Sequence, residues 1–224
     1  MILAIETSTP VCSVALQHQV NRVWEKRIEG SGVHSERLFT FTGELLSRAS
    51  IKIKDLDAIL FSRGPGSYTG LRIGTSAIKG MLYQQNVPLY TFPTLLSFAA
   101  GIKSNKKFYD IFSVIDARRS HLYFQKLNFE DGDIRIDDSP NVEEISAIEN
   151  MLTKDTILTG TGWNRLNLEN HEPKNRFGTE AISAKNLITA WNTSSLKKYF
   201  DQNDPKNFEP DYLELAQLNN SKFQ

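Results

Sequence analysis

The sequence predicts an α/β fold of two lobes, each opening with a strand meander, and three observations predict it. Three apolar, strand-like runs (Ile2–Ile5, Cys12–Gln17 and Val20–Ile28) precede any helical pattern. A second strand-rich opening follows at Phe108–Asp116 and His121–Phe129. Between them lies a buried-type strand, a glycine turn and a helix, over Asp57–Gln85. A doubly wound nucleotide fold would place helices after each of its first strands, so the meander points elsewhere.

The first strand ends in Glu6-Thr7-Ser8-Thr9-Pro10. In the third, Val20, Val23 or Trp24, and Ile28 are the expected core contacts. Gly30-Ser31-Gly32 loosens the chain before a helix from His34 to Ser50. Leu38, Phe41, Leu45 and Ala49 make one apolar face of that helix, and Phe39 and Leu46 extend a flanking one. A surface helix needs one such face. A second implies either deep burial or a partner.

Asp57–Ser62 is the next strand, and Gly64-Pro65-Gly66-Ser67-Tyr68-Thr69-Gly70-Leu71-Arg72-Ile73-Gly74 follows it. Gly64 and Gly66 permit unusual backbone angles, Pro65 fixes its own φ, and Ser67 or Thr69 can cap the helix. Such a turn can hold a phosphate on free backbone amides, or be a sharp bend with no ligand. It is neither a Walker loop nor the dinucleotide fingerprint. Gly70, Gly74 and Ala77 share one side of the helix, with Gly80 near it, which predicts close approach of the chain's own sheet or of another helix. Val87–Tyr90 reads as a strand and Pro93–Gly101 contains a helix.

Lys103-Ser104-Asn105-Lys106-Lys107 marks the expected boundary between a first lobe, residues 1–104, and a reduced second lobe, residues 105–224. In the second, Ala117–Ser120 joins two strands and Asp131-Gly132-Asp133 is a turn. Val142–Leu152 reads as a helix, Thr156–Thr159 as a strand, and Ser183 or Ala184 to Tyr199 as a helix. Residues 165–177 carry no clear pattern. Phe208–Leu213 reads as an ordered segment able to fold back on the first lobe. This order fits the ribonuclease-H-like lobes of the actin, sugar-kinase and Hsp70-like superfamily.

Composition narrows the chemistry. The 26 basic residues balance the 26 acidic ones, which argues against strong autonomous nucleic-acid binding while leaving room for a local patch. Cys12 is the lone cysteine, so no intramolecular disulfide or cysteine metal cluster can form. With no signal-type start and no apolar run long enough to cross a bilayer, the expectation is a cytoplasmic protein. His18, His34, His121 and His171 never show the spacing that pairs imidazoles on a helix, so no metal site is expected. His34 reads as a surface or cap residue and His121 as a packed one. Ser67 is better read as a cap than as a nucleophile, and Cys12 as an inert buried thiol. Glu6 and Asp116, each ending a lobe's first strand, either flank a nucleotide cleft or bond turn amides and arginines.

Together Ile2–Thr9, Cys12–Leu16, His34-Ser35, Gly64–Gly74, Asp116-Ala117-Arg118-Arg119 and Pro210–Leu213 resemble the TsaB (YeaZ) family, a bacterial component of the machinery that makes threonylcarbamoyladenosine in tRNA. The resemblance implies a degenerate paralogue of the catalytic subunit TsaD. Laying Val87-Pro88 over the matching Val-Pro of TsaD puts that subunit's metal-binding histidines at Thr94 and Phe98, so no catalytic residue, metal or cofactor is expected here. It also implies that the first two helices pack on TsaD, with homodimerisation through the same region. Leu38, Phe39, Leu46, Arg72 and Ile73 are the interface candidates. TsaE joins through the complex, TsaC supplies the activated donor, tRNA is met only indirectly, and no membrane is involved. Glu6 stands where the family commonly has Asp, and His121 where it commonly has an acid, which weakens any residual nucleotide site. The alternative is a nucleotide-binding or nucleotide-hydrolysing enzyme of the sugar-kinase-like superfamily, using Glu6 or Asp116 with Gly64, Gly66 and Ser67.

Overall fold

A computed structural model describes residues 1–102, 108–136, 138–169 and 171–213. The expected boundary run, residues 103–107, and the last residues, 214–224, lie outside this set.

The opening strands β1 (Ile2–Glu6), β2 (Val11–Gln19) and β3 (Arg22–Glu29) form an antiparallel meander, and α1 (Val33–Ala49) follows. Strand β4 (Ala58–Ser62) then runs parallel to β1. Helix α2 (Tyr68–Met81) leads into β5 (Leu89–Phe92), parallel to β4, and α3 (Thr94–Ala100) ends this half.

The second half repeats the order. Strands β6 (Phe108–Asp116), β7 (His121–Glu130) and β8 (Asp133–Ile136) form a meander, and β9 (Asn141–Glu144) also pairs with β7. Helix α4 (Ile145–Met151) precedes β10 (Ile157–Gly160), parallel to β6, and β11 (Arg176–Phe177) extends the sheet. The strand orders β3-β2-β1-β4-β5 and β8-β7-β6-β10-β11 match position for position. The two lobes are therefore copies of one α/β plan, the second reduced to 3-10 turns where the first has α2.

Alternation along β1 explains the packing: Leu3 and Ile5 point to one face and Ala4 to the other. On the first face Leu38, Leu45, Leu71 and Ile78 from α1 and α2 close a core with Val14, Leu16, Ile59 and Phe61. On the second, Ala4, Ala15 and Leu60 meet Leu187, Ile188 and Ala190 of α5 (Ala184–Asn192). The lobes exchange helices. The first lobe's α3 packs on β6, β7 and β10, while α5, late in the chain, covers β1 and β2. Past α6 (Ser194–Lys197), β12 (Asp201–Asn203) adds an antiparallel edge to β5. No helix among the described residues is long and apolar enough to cross a membrane.

Three expectations are corrected. Val142–Glu144 is strand rather than helix, because pairing with β7 outweighs the local helical preference of its glutamates. The single late helix is broken at Thr193, whose φ of -99° and ψ of 116° leave the helical region. Val20 is no core contact: it sits at the β2–β3 hairpin tip, 84% exposed.

Candidate functional site

The turn after β4 is held from three directions. Gly64 has φ 121°, a conformation closed to side chains, and a Cβ there would strike the Asp211 carbonyl. The Gly64–Pro65 peptide bond is cis. The Gly64 amide donates to Thr94 Oγ1 at 3.0 Å, and the Thr94 amide donates back to the Gly64 carbonyl at 2.9 Å. The Ser67 amide donates to the Ser8 carbonyl at 2.7 Å, and Ser67 Oγ caps α2 by accepting from the Gly70 amide at 3.2 Å. Below this turn α2 lies so close to the β1–β2 loop that a Cβ at Gly70 would meet the Thr7 carbonyl, and one at Gly74 the Thr7 hydroxyl and the Phe61 ring. The neighbour of the glycine stripe is thus the chain's own first loop. Gly80 faces open space.

A phosphate cradle needs amides aimed at solvent. Here the Gly64 and Ser67 amides are spent inside, and Pro65 has none.

Glu6 is sealed beneath the same loop. Its Oε1 accepts from the Ser8 amide at 2.7 Å and from the Ser8 hydroxyl, and its Oε2 accepts from the Ser62 hydroxyl. Burial holds the carboxyl above its ordinary range, against the pull of those hydrogen bonds. Burial, with a smaller push from the Glu6 charge, raises the neighbouring Cys12 thiol to about 12, so it is an inert group at neutral pH. Asp116 is exposed at the end of β6, where it accepts from the Arg118 amide at 2.8 Å and from the Arg165 guanidinium. The two carboxylates share no hydrogen-bond partner. Each bonds its own turn and one distant group, Ser62 for Glu6 and Arg165 for Asp116.

His34 is buried rather than at the surface. Its Nε2 donates to the Thr9 carbonyl at 2.8 Å, which fixes the neutral tautomer with Nδ1 unprotonated, and burial lowers its pKa. His121 is half-buried, 4.0 Å from a Glu144 carboxylate oxygen. No group of His, Cys, Asp and Glu among the described residues is arranged to hold a metal ion.

The interface candidates divide. Leu38 and Leu46 are buried in the core beneath α1, so neither is available to a partner. Ile73 is partly buried against that core. Phe39, 58% exposed, and Arg72 remain at the surface.

The sequence reading missed a latch. Arg63 Nε donates to Asp211 Oδ2 at 2.8 Å and its Nη1 to Asp201 Oδ2 at 2.6 Å, while the Asp211 amide donates to the Arg63 carbonyl at 2.7 Å. This pins the segment Phe208–Leu213 across the glycine turn, beside a cavity of about 590 Å³ lined by Pro65, Pro93, Pro140 and Leu213. No local spacing announces contacts between residues 148 positions apart.

Comparison with known proteins fits this architecture. The family model for "TsaD: tRNA N6-adenosine threonylcarbamoyltransferase" matches residues 29–174. A "tRNA threonylcarbamoyladenosine biosynthesis protein TsaB" from Bacillus subtilis is 27% identical over 222 residues, covering 96% of this chain and 95% of that protein. The Escherichia coli protein of the same name is 28% identical over 168 residues, with 72% and 71% covered. The structure of YeaZ from Pseudomonas aeruginosa superposes with a TM-score of 0.74 at 25% identity, covering 95% of this chain and 99% of that one. From the sequence motifs, the duplicated plan and these matches together, the chain belongs to the family described by the TsaD model and is a TsaB (YeaZ) family member.

Proposed function

We propose that this chain is a non-catalytic scaffold in the biosynthesis of threonylcarbamoyladenosine in tRNA, acting in the cytoplasm. It binds TsaD through the exposed side of α1 and α2, pairs with itself through the same surface when alone, and meets TsaE through the complex. Relatives named for this biosynthesis support the pathway. The observation that carries the scaffold role is the inward commitment of the glycine turn and of Glu6, which leaves contact surface where an enzyme would keep reactive groups. Thr94 and Phe98, at the positions aligned with TsaD's histidines, are both fully buried. Thr94 bonds Gly64, and Phe98 packs among Val11, Leu95 and Ile115.

The docking surface is tested by charging Phe39. Phe39→Glu is expected to fold normally, since the ring is mostly in water, and to lose retention on immobilised TsaD. Leu46→Glu is unsuitable for this purpose, because it buries a carboxylate under α1 and unfolds the lobe. Undiminished retention of a folded Phe39→Glu protein excludes this face of α1 as the contact.

A further inference from the structure

The notched rim where the start of α2 meets the C-terminal segment has features that the core does not use. Tyr68 at the start of α2 and Tyr212 in the pinned segment are 57% and 38% exposed, with ring centroids 5.0 Å apart at a 46° tilt. This pair divides two hollows. One, about 280 Å³, is lined by Tyr68, Arg72, Lys79, Phe208 and Tyr212. The other, about 290 Å³, lies toward the second lobe and is lined by Gly66, Tyr68, Tyr123, Tyr212 and Leu213. Arg72 holds the Tyr68 ring in place, its guanidinium 5.1 Å from the ring centroid and its Nη1 donating to the phenol oxygen at 2.8 Å.

Cations continue the rim. Tyr123, which lines the second hollow, is the third residue of β7, so the β6–β7 turn at Ala117–Ser120 lies next to it along the chain. Arg118 and Arg119 occupy successive left-handed positions, φ 70° and 51°, with both side chains exposed. Arg165 pins that turn from behind by donating to Asp116 and to the Arg119 carbonyl. Among the described residues, neither Arg118 nor Arg119 forms an ion pair. Asp211 shares Arg63 with Asp201, and Glu209 is the acid lining the two hollows that has no ion pair among the described residues.

Exposed aromatic rings beside unpaired guanidiniums are the equipment for unstacked bases joined by phosphates. We propose that this rim binds single-stranded RNA, with bases seated against Tyr68 and Tyr212 and the backbone led toward Arg118 and Arg119. Two hollows on either side of one ring pair suit successive nucleotides of a strand rather than a single free nucleotide. The proposal revises the expectation that this chain meets tRNA only indirectly. It rests on the proposed role in tRNA modification solely for the choice of RNA.

The test is fluorescence anisotropy of the full chain with a labelled single-stranded RNA of about eight nucleotides. Binding is expected to weaken steeply with salt. Tyr68→Leu and Tyr212→Leu are each expected to weaken it about tenfold, and Phe at either position to restore it, because stacking needs the ring and not the hydroxyl. The double change Arg118→Asn with Arg119→Asn, chosen because Asn tolerates the left-handed backbone, is expected to flatten the salt dependence by about one phosphate contact's worth or more. Tyr83→Ala, which removes a still more exposed ring elsewhere, is expected to leave binding unchanged. Absence of salt-sensitive binding, Leu variants that bind like the unmodified chain, or competition by a mononucleotide as effective as by the strand overturns the proposal. Retention on TsaD, read from Phe39→Glu, answers to the docking role alone and moves independently.

Discussion

Glu6 and His34 lie on either side of one loop and make stability respond to pH in opposite senses. Burial raises Glu6 above its ordinary 4.5 in the folded state, so the folded chain keeps that proton longer than the unfolded one. The stability this confers is full below about 4.5 and is lost as pH rises through the raised pKa. His34 is lowered below 6.5, so the unfolded chain takes that proton more readily. Its contribution is full above about 6.5 and is lost as pH falls through the lowered pKa. Urea midpoints taken across pH are expected to show Glu6→Gln gaining on the unmodified protein as pH rises. His34→Gln is expected to gain on it as pH falls below 6.5. Profiles that stay parallel to the unmodified protein contradict both assignments.

Among the elements, α2 offers the sharpest contrast, because chemically identical glycines in one helix do different work. Gly70 and Gly74 admit the β1–β2 loop, and a methyl at either collides with Thr7. Alanine there is expected to cost about 1–3 kcal/mol, the usual range for overpacking. Gly80 in α2 and Gly43 in α1 have nothing within 4 Å, so alanine at either is expected to stabilise by about 0.5–1 kcal/mol through helix propensity. Equilibrium urea unfolding of the four variants checks the signs, and a stabilising Gly70→Ala contradicts the packing described. The strand-turn-helix unit was legible in the sequence because its signals are local: an apolar run, a glycine turn, and Ser67 three residues before Gly70. Leu46 was not, because only the placement of α1 against the sheet decides whether its flanking face is covered. Val142–Glu144 was misread for the same kind of reason, its partner strand lying some twenty residues earlier. Arg63 with Asp211, and Tyr68 with Tyr212, are pairings that the chain makes only after it has folded back on itself.

At the scale of the whole molecule, the two lobes share a strand order and exchange helices, and the latch at Arg63 holds the C-terminal segment on the first. Duplication of the plan was visible as two strand-rich openings. The exchange of α3 and α5 was not, since it depends on which sheet each helix's apolar face finds. The polar groups that a nucleotide enzyme of this architecture would turn toward a cleft are here bonded inside the protein, Glu6 to Ser62 and Gly64 to Thr94, and Phe39 is left in water on α1. The central proposal is that this chain contributes contact surface and no reacting group. The measurement that tests it most directly is threonylcarbamoyladenosine formation in tRNA supplied with the activated donor, comparing the complete set of proteins with this chain alone. The account predicts product from the complete set, a large loss when this chain is omitted, and none when it is the sole protein present. Sustained turnover by this chain alone contradicts it.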